Sequence, residues 1–274
     1  MTKRTLKEAL KDKLTPAEIA ILKRAYDVIG DIAIIEIPEE LEPKEKLIGE
    51  TLLELQKNIK VVAKKSGIHE GEFRTQGLKV IAGEDRLETL YKENGCLLYL
   101  NPETCYFSPR SSTERKRIAE LVRPGESILV MFSGISPFPI VIAKNSRPKE
   151  IYGIEKNPDA HAYAEKNVQK NKLKNVNLIL GDVTDAMPDK VFDRVIMPLP
   201  KTGEEFLDIA LDHLKRGGVL HFYDFQNEDE FGEARKKVLE ACDRKGRKCS
   251  SSDIIVCGQY APRVHRITVD AVIE

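Results

Sequence analysis

Short apolar segments alternate with amphipathic segments from residue 127 onward, and this alternation constrains the fold more than any other feature of the sequence. Ser127–Phe132 (SILVMF) is almost entirely apolar, which is typical of a strand buried on both faces of a sheet. The segments after it predict, in order, helix 137–144, strand 151–155, helix 158–171, strand 176–180, strand 193–197, helix 206–214, strand 218–223 and helix 230–245. Strands joined by helices form parallel sheets covered on both faces. Two final strand-like segments, 254–256 and 266–272, predict an antiparallel addition at one edge of this α/β sheet.

The first hundred residues show a different pattern, in which short strands predominate. They predict helical segments at 4–26, with a break at Leu14–Pro16, and at 43–56, and strands at 31–38, 61–62, 78–83, 87–93 and 96–101; a helix at 112–121 precedes the sheet. A chain of 274 residues is long enough for two domains. We therefore expect a small α+β domain over residues 1–104, followed by the α/β domain over residues 105–274.

The composition narrows the class of protein. Hydrophobic residues make up 41% and charged residues 32% of the chain. No apolar run approaches the roughly 18 residues that span a bilayer, and the N-terminus lacks the apolar core of a signal peptide, so we expect a globular cytoplasmic protein without a membrane partner. The five cysteines form no CxxC pair and no zinc-type spacing, which predicts free thiols and no metal site. Lys+Arg and Asp+Glu both number 44, so a nucleic acid would need a local basic face.

Three loops at the ends of successive strands carry groups that suit an adenosine-containing cofactor. Gly134, in the loop Met131–Phe138, allows a ligand to approach the backbone. Glu155, about 20 residues later, is spaced to bind both hydroxyls of a ribose, and Asp182 can accept a hydrogen bond from an adenine amino group. Each feature alone also fits an ordinary turn or, for Glu155, a carboxylate at a helix N-terminus. Their occurrence in order at the carboxyl ends of strands favours a cofactor site.

Two further segments are candidates for binding or catalysis. Met197–Pro200 follows the fourth strand, and its two prolines fix a loop that either presents carbonyls to a flat base or is a plain rigid turn. Phe107–Arg117 (FSPRSSTERKR) places a carboxylate, Glu114, close in sequence to several cations near the start of a helix. Glu114 also fits a capping box begun by Ser111 or Ser112, and the two roles are compatible.

The motifs of the chain resemble those of the tRNA (guanine-37-N1)-methyltransferases of archaea and eukaryotes, from about residue 29 to the C-terminus. The motifs that carry the resemblance are GEFRT (71–75), ENGC (93–96), YFSPRSSTER (106–115), MFSGISPF (131–138) and YAPRVHR (260–266). The resemblance implies a small tRNA-contacting domain followed by a Rossmann-like class I methyltransferase domain. It implies S-adenosylmethionine as the cofactor, the anticodon stem-loop of tRNA as the partner of a monomeric enzyme, and methyl transfer to N1 of the guanine 3′ to the anticodon.

The resemblance also assigns expected roles to individual residues. Glu114 matches the general base, and Arg74 matches an arginine that assists at the target base. The expected cofactor contacts are Phe132, Ser133, Gly134, Ile135, Ser136, Glu155, Lys156, Asp182, Val183 and Pro198. The expected tRNA contacts are Arg110, Arg115, Lys116, Arg117, Pro200 and Lys201.

These residue types agree with the chemistry of the reaction. Guanine N1 carries a proton and is a poor nucleophile, so a carboxylate must remove that proton as the methyl group transfers. Negative charge then develops on O6, where an arginine can stabilise it. The base must first leave its stack to enter a pocket.

Three positions depart from the family pattern, and two alternatives to the methyltransferase remain. Val130 stands where Asp is common, Ser136 where Gly is usual, and Pro198 where many members have Asn. A proline cannot accept the hydrogens of an exocyclic amino group, which favours a ring nitrogen as the methylated atom. We also expect the chain to lack the extra N-terminal domain of many archaeal members. The alternatives are a related enzyme of wybutosine synthesis, which transfers an aminocarboxypropyl group, and a non-catalytic tRNA-binding relative; the intact FSPRSSTER segment favours the methyltransferase.

Overall fold

A computed structural model of the protein describes residues 4–67 and 75–274, which form two compact units. One unit comprises the chain up to Lys92 together with Leu97–Pro109, and the other comprises Glu93–Cys96 and Arg110–Glu274. Across both described ranges no helix is long and apolar enough to span a membrane. The same ranges contain no group of His, Cys, Asp and Glu side chains that could hold a metal ion. All five cysteines are free.

The first unit is built on a four-stranded sheet of order β1-β2-β3-β4. Its elements are α1 Leu6–Leu10, α2 Pro16–Ile21, β1 Tyr26–Ile29, β2 Ile32–Ile35, α3 Glu45–Leu55, β3 Val61–Lys65 and β4 Leu78–Gly83, together with most of the hairpin of β5 Thr89–Glu93 and β6 Cys96–Leu100, whose turn Glu93–Cys96 belongs to the other unit. β2 and β3 pair in parallel, whereas β1 pairs antiparallel with β2 and β4 pairs antiparallel with β3. α3 packs closely on β4, because a Cβ at Gly49 would lie 2.9 Å from that of Ala82. This unit is an α+β fold, as the sequence predicts.

The structure corrects the helix predicted over residues 4–26. The break at Leu14–Pro16 is present, and a capping box at Thr15 starts α2. However, α2 ends at Ile21, and Tyr26–Ile29 (YDVI) forms β1, which pairs with β2 across a turn in which Gly30 has a φ of 60°. The aromatic and β-branched residues of YDVI favour a strand and could have indicated β1 from the sequence.

The second unit is built on a seven-stranded sheet of order β12-β13-β11-β10-β7-β8-β9. Its elements are α4 Ser112–Leu121, β7 Ser127–Val130, α5 Pro137–Asn145, β8 Glu150–Glu155, α6 Pro158–Lys170, β9 Val176–Leu180, β10 Phe192–Met197, α7 Leu207–Asp212, β11 Leu214–Asn227, α8 Phe231–Arg244, β12 Cys249–Ala261 and β13 Val264–Ile273. β7 to β11 pair in parallel. The chain proceeds from β7 to β8 and β9 on one side and reaches β10 and β11 on the other. The crevice at the carboxyl ends of β7 and β10 is therefore the expected ligand site of such a sheet.

The antiparallel addition at one edge of this sheet is confirmed, but its strands are longer than predicted. β13 pairs antiparallel with both β11 and β12, and β11 alone has 14 residues. The helix predicted at 206–214 is confined to Leu207–Asp212, after a 3-10 turn at Gly203–Phe206, because Leu214 already begins β11. Tyr223 of β11, Cys257 of β12 and Asp270 of β13 lie beside residues of α4.

Candidate active site

The loop after β7 has a backbone conformation that costs free energy. Phe132, Gly134 and Ser136 have φ angles of 54°, 56° and 60°. A non-glycine residue in this left-handed region costs about 1 kcal/mol or more, and such positions cluster at ligand sites. The loop is held against the next strand, because the backbone N–H of Ser133 donates to the carbonyl of Ile154 at 2.8 Å.

The structure gives a physical context for two departures from the family pattern. Ser136 adopts φ 60° and ψ 43° at the start of α5, which is the conformation that glycine adopts without strain. Its hydroxyl is buried, 3.5 Å from that of Ser133. Val130 is fully buried at the end of β7, where an apolar side chain is favourable. Neither departure introduces a buried charge into the site.

Glu155 joins two of the predicted loops. Its Oε2 accepts the backbone N–H of Gly134 at 2.6 Å, and its Oε1 accepts that of Asn157 at 2.8 Å. Burial raises the pKa of Glu155, and the hydrogen bonds from the backbone of Asn157 and Gly134 offset this only in part. A carboxylate has about four acceptor positions, so Glu155 keeps the capacity to bind ribose hydroxyls.

The alternative role of Glu155 as a helix-capping carboxylate is not needed in this structure. Asn157 is the N-cap of α6, and its side chain accepts the backbone N–H groups of Asp159 and Ala160. Pro158 occupies the first turn, which suits a residue without an N–H. The helix end is therefore capped without help from Glu155.

Asp182 lies at the end of β9 beside the Glu155 loop. Its Oδ1 accepts the backbone N–H and the hydroxyl of Thr184, both at 2.9 Å, and its Oδ2 lies 2.9 Å from Nζ of Lys156. These contacts, the Thr184 backbone foremost and then Lys156, lower the pKa of Asp182 to about 2. The backbone N–H of Gly181 donates to the carbonyl of Glu155 at 2.9 Å. The loops after β7, β8 and β9, which carry Gly134, Glu155 and Asp182, are thus joined by hydrogen bonds.

The loop after β10 closes the other side of the crevice. Pro198 follows Met197 directly, and the ring of Phe206, at the end of this loop, packs edge-on against Phe132 with 5.0 Å between centroids. The loop after β7 and the loop after β10, which lie on either side of the crevice, are therefore in contact. Pro200 and Lys201 lie farther out, and Nζ of Lys201 is 5.6 Å from the centre of the exposed Tyr260 ring.

Glu114 lies in the first turn of α4 with only 5% of its surface exposed. Arg117 donates Nε to its Oε2 and Nη2 to its Oε1, both at 2.7 Å. The hydroxyl of Tyr223, on β11, also donates to Oε1. The Tyr223 ring packs against Phe138 with 5.9 Å between centroids, two residues after Ser136. Glu114 is therefore linked through one aromatic contact to the helix that the strained loop begins.

The capping box considered for this helix is not formed. Ser111 is the N-cap residue of α4 and makes no side-chain capping hydrogen bond. The carboxylate of Glu114 instead points into the unit, toward Arg117 and Tyr223. Its position is set by the ion pair and the phenol.

Two of the residues predicted to contact tRNA, Arg115 and Arg117, form ion pairs within the protein. Arg115 donates Nε and Nη2 to the carboxylate of Glu93, each at 2.5 Å, and the two side chains are only 3% and 2% exposed. Arg117 lies between Glu114 and Asp270, and its guanidinium donates four hydrogen bonds to their two carboxylates. Neighbours in a helix point in different directions, so closeness in sequence does not place these cations on one face. Among the cations of Phe107–Arg117, Arg117 is the one that pairs with Glu114, whereas Arg115 pairs with Glu93.

The other predicted contacts have different outcomes. Arg110 and Lys116 are exposed, and Nζ of Lys116 lies 3.8 Å from Glu120. Arg74, the residue expected to assist at the target base, lies outside the described residues. Its role and those of Arg110, Lys116, Pro200 and Lys201 stay predictions.

Sequence reasoning missed three residues around Glu114, namely Tyr223, Asp270 and His221. They lie inside β11 and β13, which otherwise carry apolar residues toward the core. All three are largely buried. A histidine and an aspartate in the middle of apolar strands could have indicated a buried polar cluster, because buried polar groups need hydrogen-bond partners.

Two family models match the chain. One is described as the TRM5/TYW2 methyltransferase domain and matches residues 89–250, and the other is described as the TYW2 N-terminal domain and matches residues 6–86.

Individual relatives are named for different activities at position 37 of tRNA. The chain is 41% identical over 250 residues to the tRNA (guanine(37)-N(1))-methyltransferase Trm5b of Pyrococcus abyssi, covering 91% of this chain and 74% of that protein. It is 35% identical over 252 residues to the tRNA(Phe) (4-demethylwyosine(37)-C(7)) aminocarboxypropyltransferase of Methanocaldococcus jannaschii, covering 91% and 98%. The crystal structure of M. jannaschii TYW2 in complex with AdoMet matches with a TM-score of 0.73 at 31% identity, covering 91% of this chain and 99% of that one.

Proposed function

The chain belongs to the TRM5/TYW2 methyltransferase family, and we propose that it transfers the methyl group of S-adenosylmethionine to N1 of guanine 37 in tRNA. Use of S-adenosylmethionine and modification of tRNA are properties of this family of enzymes. The finer assignment concerns the group that is transferred and the atom that receives it.

The observation that carries this proposal is the buried carboxylate of Glu114. Guanine N1 must lose its proton as it attacks the methyl group, and a positioned base contributes about 10²–10⁴-fold to such a step. Glu114 is held by Arg117 and Tyr223, which fix its orientation. A carboxylate in this position serves proton removal from a ring nitrogen.

The residues of the crevice fit the cofactor. Glu155 offers acceptors for two ribose hydroxyls, and Asp182 offers an ionised acceptor for the adenine amino group. When bound, the cofactor would supply the activated methyl group. Within this chain, the loop from Phe132 to Ser136 would bind and orient it, and Glu114 would hold the proton taken from N1.

Pro198 supports a ring nitrogen as the acceptor atom. Enzymes that methylate exocyclic amino groups typically present a polar side chain at this position to accept the amino hydrogens, and proline has none. Arg110, Lys116, Pro200 and Lys201 are proposed to contact the tRNA, and Arg74 is proposed to stabilise charge on O6.

Transfer of the aminocarboxypropyl group is the second candidate. The match of residues 6–86 to a TYW2 N-terminal domain favours it, as does the nearly complete coverage of the M. jannaschii transferase. The higher identity to the methyltransferase and the intact FSPRSSTER segment favour methyl transfer.

Isotope transfer separates these reactions. The protein is incubated with tRNA that carries either guanosine or 4-demethylwyosine at position 37, and with cofactor labelled either in the methyl carbon or in the carboxyl carbon. The nucleosides are then identified by mass spectrometry. We expect the methyl label in 1-methylguanosine and no carboxyl label in the tRNA. A transcript with inosine at position 37 keeps N1 and O6 and should still be methylated. Carboxyl label in the tRNA, or methyl label on another atom, would overturn the proposal.

A further inference from the structure

Glu114 is the end of a buried row of charged side chains. Arg117, which binds Glu114, also binds Asp270, with Nη1 2.6 Å from Oδ2. Asp270 Oδ1 lies 2.7 Å from Nδ1 of His221, and Nε2 of His221 lies 2.6 Å from Nη1 of Arg194. Arg194 in turn binds the carboxylate of Glu126 at 2.8 and 3.0 Å. The row runs from α4 through β13, β11 and β10 to the start of β7.

The partners of His221 determine its protonation state. A guanidinium has only donors, so Nε2 of His221 must accept from Arg194. The ring proton is then on Nδ1 and is donated to Asp270. Burial lowers the pKa of His221, and Asp270 opposes this only in part. His221 is thus neutral and holds Asp270 in place without neutralising its charge.

The row contains one more carboxylate than cations. Its two cations are Arg117 and Arg194, and its three carboxylates are Glu114, Asp270 and Glu126. Burial alone would raise the pKa of Asp270, but hydrogen bonds from His221 and Arg117 outweigh it and hold that pKa well below its usual range. Asp270 therefore stays ionised, and Arg117 is shared by two carboxylates. The proton taken from a substrate would remove the excess negative charge.

We propose that Asp270 and Tyr223 are positioning residues that set the basicity of Glu114 in opposite directions. Asp270 shares Arg117 with Glu114, so that Arg117 orients Glu114 without fully neutralising it. Tyr223 donates a hydrogen bond to the charged form of Glu114 and so favours that form. This inference rests on the proposed role of Glu114 as the base, but the charge coupling exists in the free protein and can be measured there.

The groups that face Glu114 come from four elements. Arg117 lies on α4, as Glu114 does, Tyr223 lies on β11 and Cys257 lies on β12. Asp270, on β13, reaches Glu114 only through Arg117. Burial raises the pKa of the Cys257 thiol, and the charge of Glu114 adds to this, so the thiol is neutral near pH 7. The Tyr223 phenol is likewise neutral, because burial and Glu114 raise its pKa. Asp270 is therefore the second negative charge on Arg117.

The test is a carbon-13 NMR titration of Glu114 in protein labelled at glutamate carboxyl groups, with the signal assigned by its loss in Glu114→Gln. Asp270→Asn keeps the size of the side chain and removes its charge, so the signal of Glu114 should move to lower pH in the titration. Tyr223→Phe removes one hydrogen bond to the carboxylate, so the signal should move to higher pH. Opposite shifts from two variants are not expected of a merely structural role. Asp208→Asn, which breaks the exposed pair with Arg244, is the matched control and should shift nothing.

The same variants are then assayed for single-turnover methyl transfer against pH. Asp270→Asn should lower the plateau rate by about three- to tenfold, because a weaker base removes the proton less readily, and Tyr223→Phe should move the acid limb to higher pH. If neither variant shifts the titration of Glu114, the inference is wrong whatever the activity. If the titrations shift but wild-type protein does not methylate N1, the proposed function fails and the coupling stands. If Asp270→Asn does not fold, Tyr223→Phe alone decides, and an unchanged pKa overturns the proposal.

Discussion

The buried pair of Glu93 and Arg115 allows a quantitative prediction about stability. The two side chains are 2% and 3% exposed and form two parallel hydrogen bonds of 2.5 Å. Glu93→Gln keeps the shape of the side chain but removes the charge that Arg115 faces. Loss of one partner of a buried pair costs about 3–5 kcal/mol, because the other charge is left uncompensated.

This cost can be measured by urea unfolding and by thermal melting. For a unit of this size, each kcal/mol lowers the melting temperature by about 2–4 °C, so Glu93→Gln should lower it by about 6–20 °C. The matched control is Glu120→Gln, because Glu120 and its partner Lys116 are 64% and 58% exposed on the same helix; it should change stability by less than about 0.5 kcal/mol. A Glu93→Leu, Arg115→Met double variant should recover much of the loss, since no buried charge then remains. A loss below about 1 kcal/mol for Glu93→Gln would mean that Arg115 does not depend on Glu93 for its charge balance, and Arg115 would then be available to contact tRNA.

Three further predictions concern ligand binding. The affinity for S-adenosylmethionine should weaken as the pH falls, because the ribose needs ionised Glu155. Burial raises the pKa of Glu155, so the weakening should begin at a higher pH than for an ordinary glutamate. Calorimetry from about pH 4 to pH 8 tests this, and Glu155→Gln should remove the pH dependence. Asp182→Asn should weaken binding by a factor that is constant over the same range, since the pKa of Asp182 is about 2; a factor that grows with pH would contradict this. The affinity for tRNA should fall by about 20- to 40-fold for a fourfold rise in salt if three phosphates are contacted. Arg110→Ala, Lys116→Ala and Lys201→Ala should each reduce the slope of that dependence, and an affinity that is flat with salt would contradict the prediction.

The parallel sheet and the position of the crevice could be predicted because their signals are local in sequence. Apolar strands such as SILVMF and the residues that follow them fix both the sheet and the edge where Gly134, Glu155 and Asp182 meet. Strand ends were less predictable. Leu214 begins β11 because it pairs with Phe192 of β10, and the residues beyond Tyr223 extend β11 because they pair with β13. Such pairing is not encoded locally.

The surroundings of Glu114 could not be predicted from neighbouring residues in the chain. Arg117 and Asp270 are separated by 153 positions, and Tyr223 contacts Glu114 across 109 positions. The motif FSPRSSTERKR placed several cations near Glu114 in sequence, but helix geometry sends Arg115 to Glu93 and brings Arg117 to Glu114. Which cation pairs with Glu114 therefore depends on strands that come much later in the chain.

The most direct test of the account is the rate of methyl transfer to N1 of guanine 37 by Glu114→Gln in a single turnover at saturating tRNA and cofactor. This variant keeps the size of the side chain and removes its basicity, so transfer should slow by roughly 10²-fold or more. Cofactor affinity should change little, because the cofactor loops follow β7, β8 and β9, and that affinity also shows that the variant is folded. Single-turnover conditions separate the transfer step from product release. Transfer at the wild-type rate across neutral pH would contradict the role of Glu114 as the base, and Glu114 would then be a structural partner of Arg117 and Tyr223.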